Sequence, residues 1–300
     1  MSFVYHANAL AFGGVIRNPC CDVLPSIASV VLSPSGGEGS ETIRNFNYKG
    51  IISFDEASVY VGGSQRGEYR NTISTVSIRN LNILNMVHVE LLVGRVTSEH
   101  HFDPDKPFDP ANPENEEPQF TFEGSQLENL KIGGKRVDVK LDHSVFSRYA
   151  THSAFVEAFK GPAADEDTLL GNTAAAATAN GKLVDRYAKR FCWQANHCGA
   201  GAPASKDNVI RCSLLEGIDV PDTDENLHDN KTRREKDRVQ PVRRNGYIVR
   251  IADFGTVAIG EVVLKPHQRT VNMLRFALGS PIDGEFTAGS GTTNGTDMYP

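Results

Sequence analysis

The stretch NTISTVSIRN, residues 71–80, alternates without a break: Thr72, Ser74, Val76 and Ile78 fall on one side of an extended chain, Ile73, Thr75 and Ser77 on the other. A period of two built largely from β-branched residues suits a pleated, half-buried surface; on a helix the same residues would scatter round the axis. MVHVELLVGRV (86–96) repeats the pattern, with Val87, Val89, Leu91 and Val93 on one side and His88, Glu90 and Leu92 on the other. Glycine pairs at 13–14, 36–37, 62–63 and 133–134 punctuate such runs where positive φ or a bulge is easily taken. Short strands at this spacing predict a mainly β protein, an antiparallel sandwich or barrel-like core rather than βαβ units.

Three segments echo one another. IISFDEASVYVGG (51–63), NILNMVHVELLVG (82–94) and FGTVAIGEVVLKP (254–266) each open apolar, pass a small or polar kink, and continue with alternating valines or leucines. They read as similar hairpin arms of one sheet system, too few for a solenoid. The position of the third copy implies that the C-terminal strands return to pair with the N-terminal ones. Between them the pattern changes. LDHSVFSRYATHSAFVEAFK places Val145, Tyr149, His152, Phe155, Val156 and Phe159 at helical spacing, with Asp142 or Ser144 to cap the first turn. A second helix is expected within 171–193, and 195–245 is rich in Gly, Pro and charge. The expected organisation is a β core of residues 1–141 plus 246–300, interrupted by a helical and irregular insertion at 142–245.

Composition excludes some partners. With 31 Lys and Arg against 37 Asp and Glu the chain carries a formal charge of -6, so nucleic acid is not expected. No apolar run approaches a membrane span, and no Lys or Arg precedes Arg17, so neither a span nor a secretory leader is expected; the chain is read as cytoplasmic or exported by a leaderless route. Five cysteines, an odd number in a long chain, read as thiols rather than a disulfide framework.

Motifs for chemistry are sparse. In SEHHFDPDKPFDPANPENEEPQF (98–120), Asp103, Asp105 and Asp109 supply hard oxygen ligands and Glu114 falls twelfth from Asp103, as the closing carboxylate of a calcium loop would. Phe108 stands where that loop needs glycine, and five prolines stiffen the segment, which favours a polar loop between strands. His100 and His101, adjacent on a strand, would point to opposite faces. Cys192, His197, Cys198 and Cys212 could nominally hold zinc, but their spacing matches no finger. No hydrolase elbow, phosphate loop or HExxH occurs; no cofactor is expected, with calcium as the alternative. The segment 216–244 is acidic first and basic after. It reads as a zwitterionic surface loop or, more sharply, as a head-to-tail docking arm whose basic half, Arg233, Arg234, Lys236, Arg238, Arg243 and Arg244, meets an acidic patch on a neighbouring copy, with Glu114, Glu116 and Glu117 as candidates.

The segments HANALAFGGVI, LPSIASVVLSPSGGEG, NTISTVSIRNLNILNMVHVELLVGRVTSE and GTVAIGEVVLKP resemble the β-rich bacterial choice-of-anchor P domains over 5–99 and 247–279. The resemblance implies a surface-associated, non-enzymatic β domain and transfers no functional residue. The expected function is structural: a non-enzymatic chain that assembles with copies of itself into an oligomer or filament through strand edges, such as Thr72 to Ile78, and the charged arm. The alternatives are a calcium-assisted carbohydrate or surface binder and a hydrolase with unrecognised carboxylates.

Overall fold

A computed structural model describes residues 3–18, 21–101, 117–159, 209–219, 242–245, 248–251, 254–279 and 282–294. Within them the strands are β1 (Ala7–Asn18), β2 (Asp22–Val31), β3 (Gly37–Tyr48), β4 (Ile52–Arg66), β5 (Tyr69–Ile83), β6 (Val87–His101), β7 (Gln119–Thr121), β8 (Gln126–Glu128), β9 (Lys131–Ile132), β10 (Lys135–Arg136), β11 (Asp138–Leu141), β12 (Ile210–Ser213), β13 (Leu215–Asp219), β14 (Val242–Asn245), β15 (Ile248–Ile251), β16 (Gly255–Lys265), β17 (Gln268–Leu278) and β18 (Asp283–Asn294). The helices are α1 (Ser144–Arg148) and α2 (His152–Phe159).

Most of these strands make two large antiparallel sheets packed face to face, with no closed barrel among the described residues, and β11 pairs with β13 in a third, two-stranded sheet. Sheet A runs β14-β15-β16-β17-β18-β1-β2, and β12 joins β16 beyond β15. Sheet B runs β6-β5-β4-β3, with β7, β8 and the β9-β10 hairpin along the outer side of β6. The C-terminal strand thus pairs with β1 on one side and β17 on the other, so the ends of the chain meet in the middle of sheet A. The first two echoing segments lie in sheet B and the third in sheet A, so the arms belong to two facing sheets rather than one.

Three strands of sheet B share a bend. In β4 the buried set passes from Ile52 and Phe54 to Ala57, Val59 and Val61; in β5 from Val76 and Ile78 to Leu81 and Ile83; in β6 from Val87 and Val89 to Leu92 and Val96. Each strand slips one residue in phase, leaving an outward pair: Asp55-Glu56, Arg79-Asn80, Glu90-Leu91. A slip confined to one strand would turn its apolar set toward water, but all three slip on the same row and the pairing register runs through unbroken. Asn80 (φ 52) reverses the pleat there, and Asn45 (φ 55) and Asn129 (φ 49) stand on the same line. The row is laced by Arg44 Nε to Glu56, Asn80 Nδ2 to Asp55 and Asn129 Nδ2 to Glu90, at 2.7, 2.6 and 2.6 Å. This corrects the simple alternation expected for 86–96: Leu92 is buried, while Leu91 and Val93 are only partly so.

Sheet A bends the same way with opposite sense. Its consecutive pairs Ala11-Phe12, Ala288-Gly289 and Met273-Leu274 all face inward, and positive φ falls on Ala28, Gly289 and Gly260. The sheets close most tightly here. A side chain on Gly94 of β6 would meet the carbonyl oxygen of Gly289 at 2.8 Å, and one on Gly291 would meet Ser74 Oγ at 2.8 Å. Hydroxyls bridge the same seam: Ser74 Oγ donates to Asn8 O (2.6 Å), and Ser98 Oγ lies 2.7 Å from both Thr293 Oγ1 and Asn294 O. The Gly/Thr-rich end AGSGTTN, of a composition that ordinarily frays, is therefore a buried central strand.

Of residues 142–245, those described are joined to the body. Strand β12 pairs with β16, β13 with β11, and β14 with β15. The single helix expected after residue 142 is two, broken at 149–151, and Asp142 rather than Ser144 opens the first by accepting the Ser144 N–H (2.9 Å). Phe146, which the helical spacing passed over, is buried with Phe120, Phe122 and Phe155. The second helix expected within 171–193 lies outside the described residues.

Candidate functional site

The metal quartet Asp103, Asp105, Asp109 and Glu114 lies outside the described residues, as do Arg233, Arg234, Lys236 and Arg238 of the arm. Among the described residues no group of three or more His, Cys, Asp and Glu is placed to hold a metal. The histidines before the acidic loop do face opposite ways: His100 is buried edge-on to Phe3 at 4.9 Å, while His101 is exposed beside Glu68. Arg243 and Arg244 lie on β14, which among the described residues ends sheet A. Of the proposed zinc ligands only Cys212 is described, buried in β12.

Two expectations are corrected. Thr72–Ile78 is not an edge: β5 is paired with β4 along one side and β6 along the other, so its backbone groups are already spoken for. Glu117 is not part of an exposed acidic patch. Its side chain is buried, accepting the Ser153 N–H (3.0 Å) and hydroxyl at the start of α2 and facing Arg269 Nη2 at 3.4 Å.

Arg269 is itself fully buried, over the ring of Phe120 (5.2 Å to its centroid), with Nη1 donating to the Lys265 carbonyl and to the Pro266 carbonyl at 3.3 Å. Burial pushes this guanidinium down to about 10, against the pull of Glu117. A basic group whose folded pKa is depressed is a standing cost below that pKa, relieved only as pH rises through about 10 toward the unfolded value. The pair therefore ties α2, the 117–122 segment and the β16-β17 turn into one arrangement, while desolvation outweighs attraction in its energy. A second buried carboxylate, Glu261, takes Arg275 through both nitrogens at 3.1 Å and Asn272 at 3.2 Å. Both clusters pair their own charges and act as structural joints, Arg269 Nε alone being buried without a hydrogen-bond partner in them.

The surfaces that remain are the sheet edges. On one flank of the sandwich β2 ends sheet A and β3 ends sheet B, side by side. Strand β2 is blunted: Pro25 lacks an N–H, the ladder with β1 shifts register between Phe12 and Gly14, Ala28 sits at φ 47, and the Ser29 N–H is taken by Glu41 Oε2 at 2.7 Å. Tyr48 and Lys49 reach across to the Asp22 carboxylate, and that bond pushes the Tyr48 hydroxyl above its ordinary range. Strand β3 is less defended, its one non-glycine residue at positive φ, Asn45 (φ 55), lying past residues 38–44. Its ladder with β4 runs from Gly37↔Gly63 to Tyr48↔Ile52 in one register, it has no proline, and among the described residues nothing pairs with its other side. Sequence alone could not find it, since GEGSETIRN reads as a loop.

Comparison with known proteins gives one match. The family model described as Domain of unknown function (DUF8256) covers residues 3–265. No curated protein and no solved structure matches the chain. The family match stands apart from the likeness to choice-of-anchor P domains, which rests on the strand motifs alone. Among the described residues, no helix is long and apolar enough to cross a membrane.

Proposed function

The chain belongs to the DUF8256 family, and on the geometry of its body we propose that it is a non-enzymatic structural protein that assembles with copies of itself by strand addition at the edge of sheet B. The observation that carries this reading is the contrast on one flank: β2 is closed to pairing by several independent devices, while residues 38–44 of β3 beside it are, among the described residues, left open. Folded chains ordinarily blunt their edges, and an unblunted edge of this length offers backbone donors and acceptors to an incoming strand. The basic residues Arg243 and Arg244, on the edge strand β14, support a role for the charged arm at the opposite end of sheet A.

Light scattering over a range of concentrations tests it. The wild-type chain is expected to form oligomers that dissociate as salt rises, because charge on both edges assists docking. Lysine at both Ser40 and Thr42, the usual protection of an edge, is expected to leave a folded monomer. A wild-type chain that stays monomeric at high concentration and low salt overturns the proposal.

A further inference from the structure

Resting on that reading, we infer that the partner at β3 is a second copy of the same β3, paired antiparallel about a two-fold axis through Glu41. The regular stretch of β3 is bounded by positive-φ residues, Gly37 (φ 97) and Asn45 (φ 55), which lie four residues either side of Glu41. Pairing about Glu41 therefore uses the whole extended stretch and no other register does.

The side chains select the same register. An axis normal to a sheet keeps outward residues opposite outward residues. The outer face of β3 carries Glu38, Ser40, Thr42 and Arg44, opposite Gly62, Tyr60, Ser58 and Glu56 of β4. Centred on Glu41, Glu38 of each copy stands opposite Arg44 of the other, and Ser40 opposite Thr42. Moving the axis to Thr42 sets Arg44 against Ser40, and moving it to Ser40 sets Glu38 against Thr42, so both charge pairs disappear. Opposite charges directly across a strand pair are favourable and fix register. Both side chains are within reach of a partner: Arg44 is 71 % exposed and gives only its Nε to Glu56, and Glu38 accepts a 3.2 Å bond from Tyr60. On the inner face Gly39 meets Ile43, and the two Glu41 carboxylates approach at the axis, each turned onto its own Ser29 N–H. The result is one continuous sheet through two sandwiches, closed by symmetry rather than growing into a filament.

The test is a charge exchange in the full-length chain, read by analytical ultracentrifugation at low salt, with thermal melting to confirm that each variant folds. Glu38→Arg alone sets arginine against arginine, and Arg44→Glu alone sets glutamate against glutamate. Each is expected to weaken self-association at least tenfold. Mixing the two variants restores both opposite-charge pairs and is expected to give a heterodimer at wild-type affinity, as does the double variant with itself. If the Ser40/Thr42 lysine variant abolishes association but the mixture does not restore it, the register inferred here is wrong while the edge reading stands. If the lysine variant still associates, both fall.

Discussion

Two stretches of this chain have nearly the same composition and opposite fates. GEGSETIR, 37–44, and AGSGTTN, 288–294, both intersperse Gly, Ser and Thr with scarcely an apolar side chain, the first adding the charges of Glu38, Glu41 and Arg44. The second is the inner half of β18, paired on both sides and pressed against β5 and β6. The first is an open edge, solvated on most of its length. Small residues serve the buried strand because two backbones must approach more closely than ordinary side chains allow, and serve the exposed one because nothing there needs covering. The difference teaches that low hydrophobicity marks a place where apolar area is not the organising force, without saying whether the reason is closeness or solvent.

The comparison can be broken by substitution, and the largest effect should come from the seam. Gly94→Val places a side chain against a backbone carbonyl that cannot turn away, so the sheets must part; overpacking predicts a loss of more than about 3 kcal/mol, read from the urea midpoint. A variant of wild-type stability would show that the seam is not tight. Next comes Glu117→Ala, which strands Arg269 where β17 meets the buried strand at Thr293; about 3 kcal/mol should be lost. Replacing both partners, Glu117→Leu with Arg269→Met, should recover most of it, because the burial cost is then removed from both sides. A smaller loss, about 1 kcal/mol, is expected for Ser98→Ala, which gives up the bonds to Thr293 and Asn294. Smallest is Ser40→Val on β3, within about 0.5 kcal/mol of wild type. Equal losses for Ser98→Ala and Ser40→Val would erase the distinction drawn between the strands.

Much of the β body was legible because period-two alternation in β4, β5 and β6 has a single physical reading. Legibility stopped at the bends. A polar kink was visible at Asp55, but that Asp55, Asn80 and Glu90 form one row across sheet B, matched by Gly260 and Gly289 in sheet A, depends on register between strands far apart in sequence. Phe146 was missed because the helix it was tested against is two short ones. The acidic loop and most of the basic arm, where the sequence put its candidate chemistry, lie outside the described residues; the edge of β3 carried no sequence signal at all.

Local pattern by itself determined that this chain forms strands and where many of them run, since alternation and β-branching act within a few residues; that β18 returns to pair with β1 was decided by the tertiary structure. Only the tertiary structure decided which strands are central and which are edges, that Thr72–Ile78 is enclosed, and that Glu117 and Arg269 are buried together. Those outcomes follow from the order of strands in a sheet, and backbone groups that pair strands are the same in every residue, so no side-chain pattern reports them.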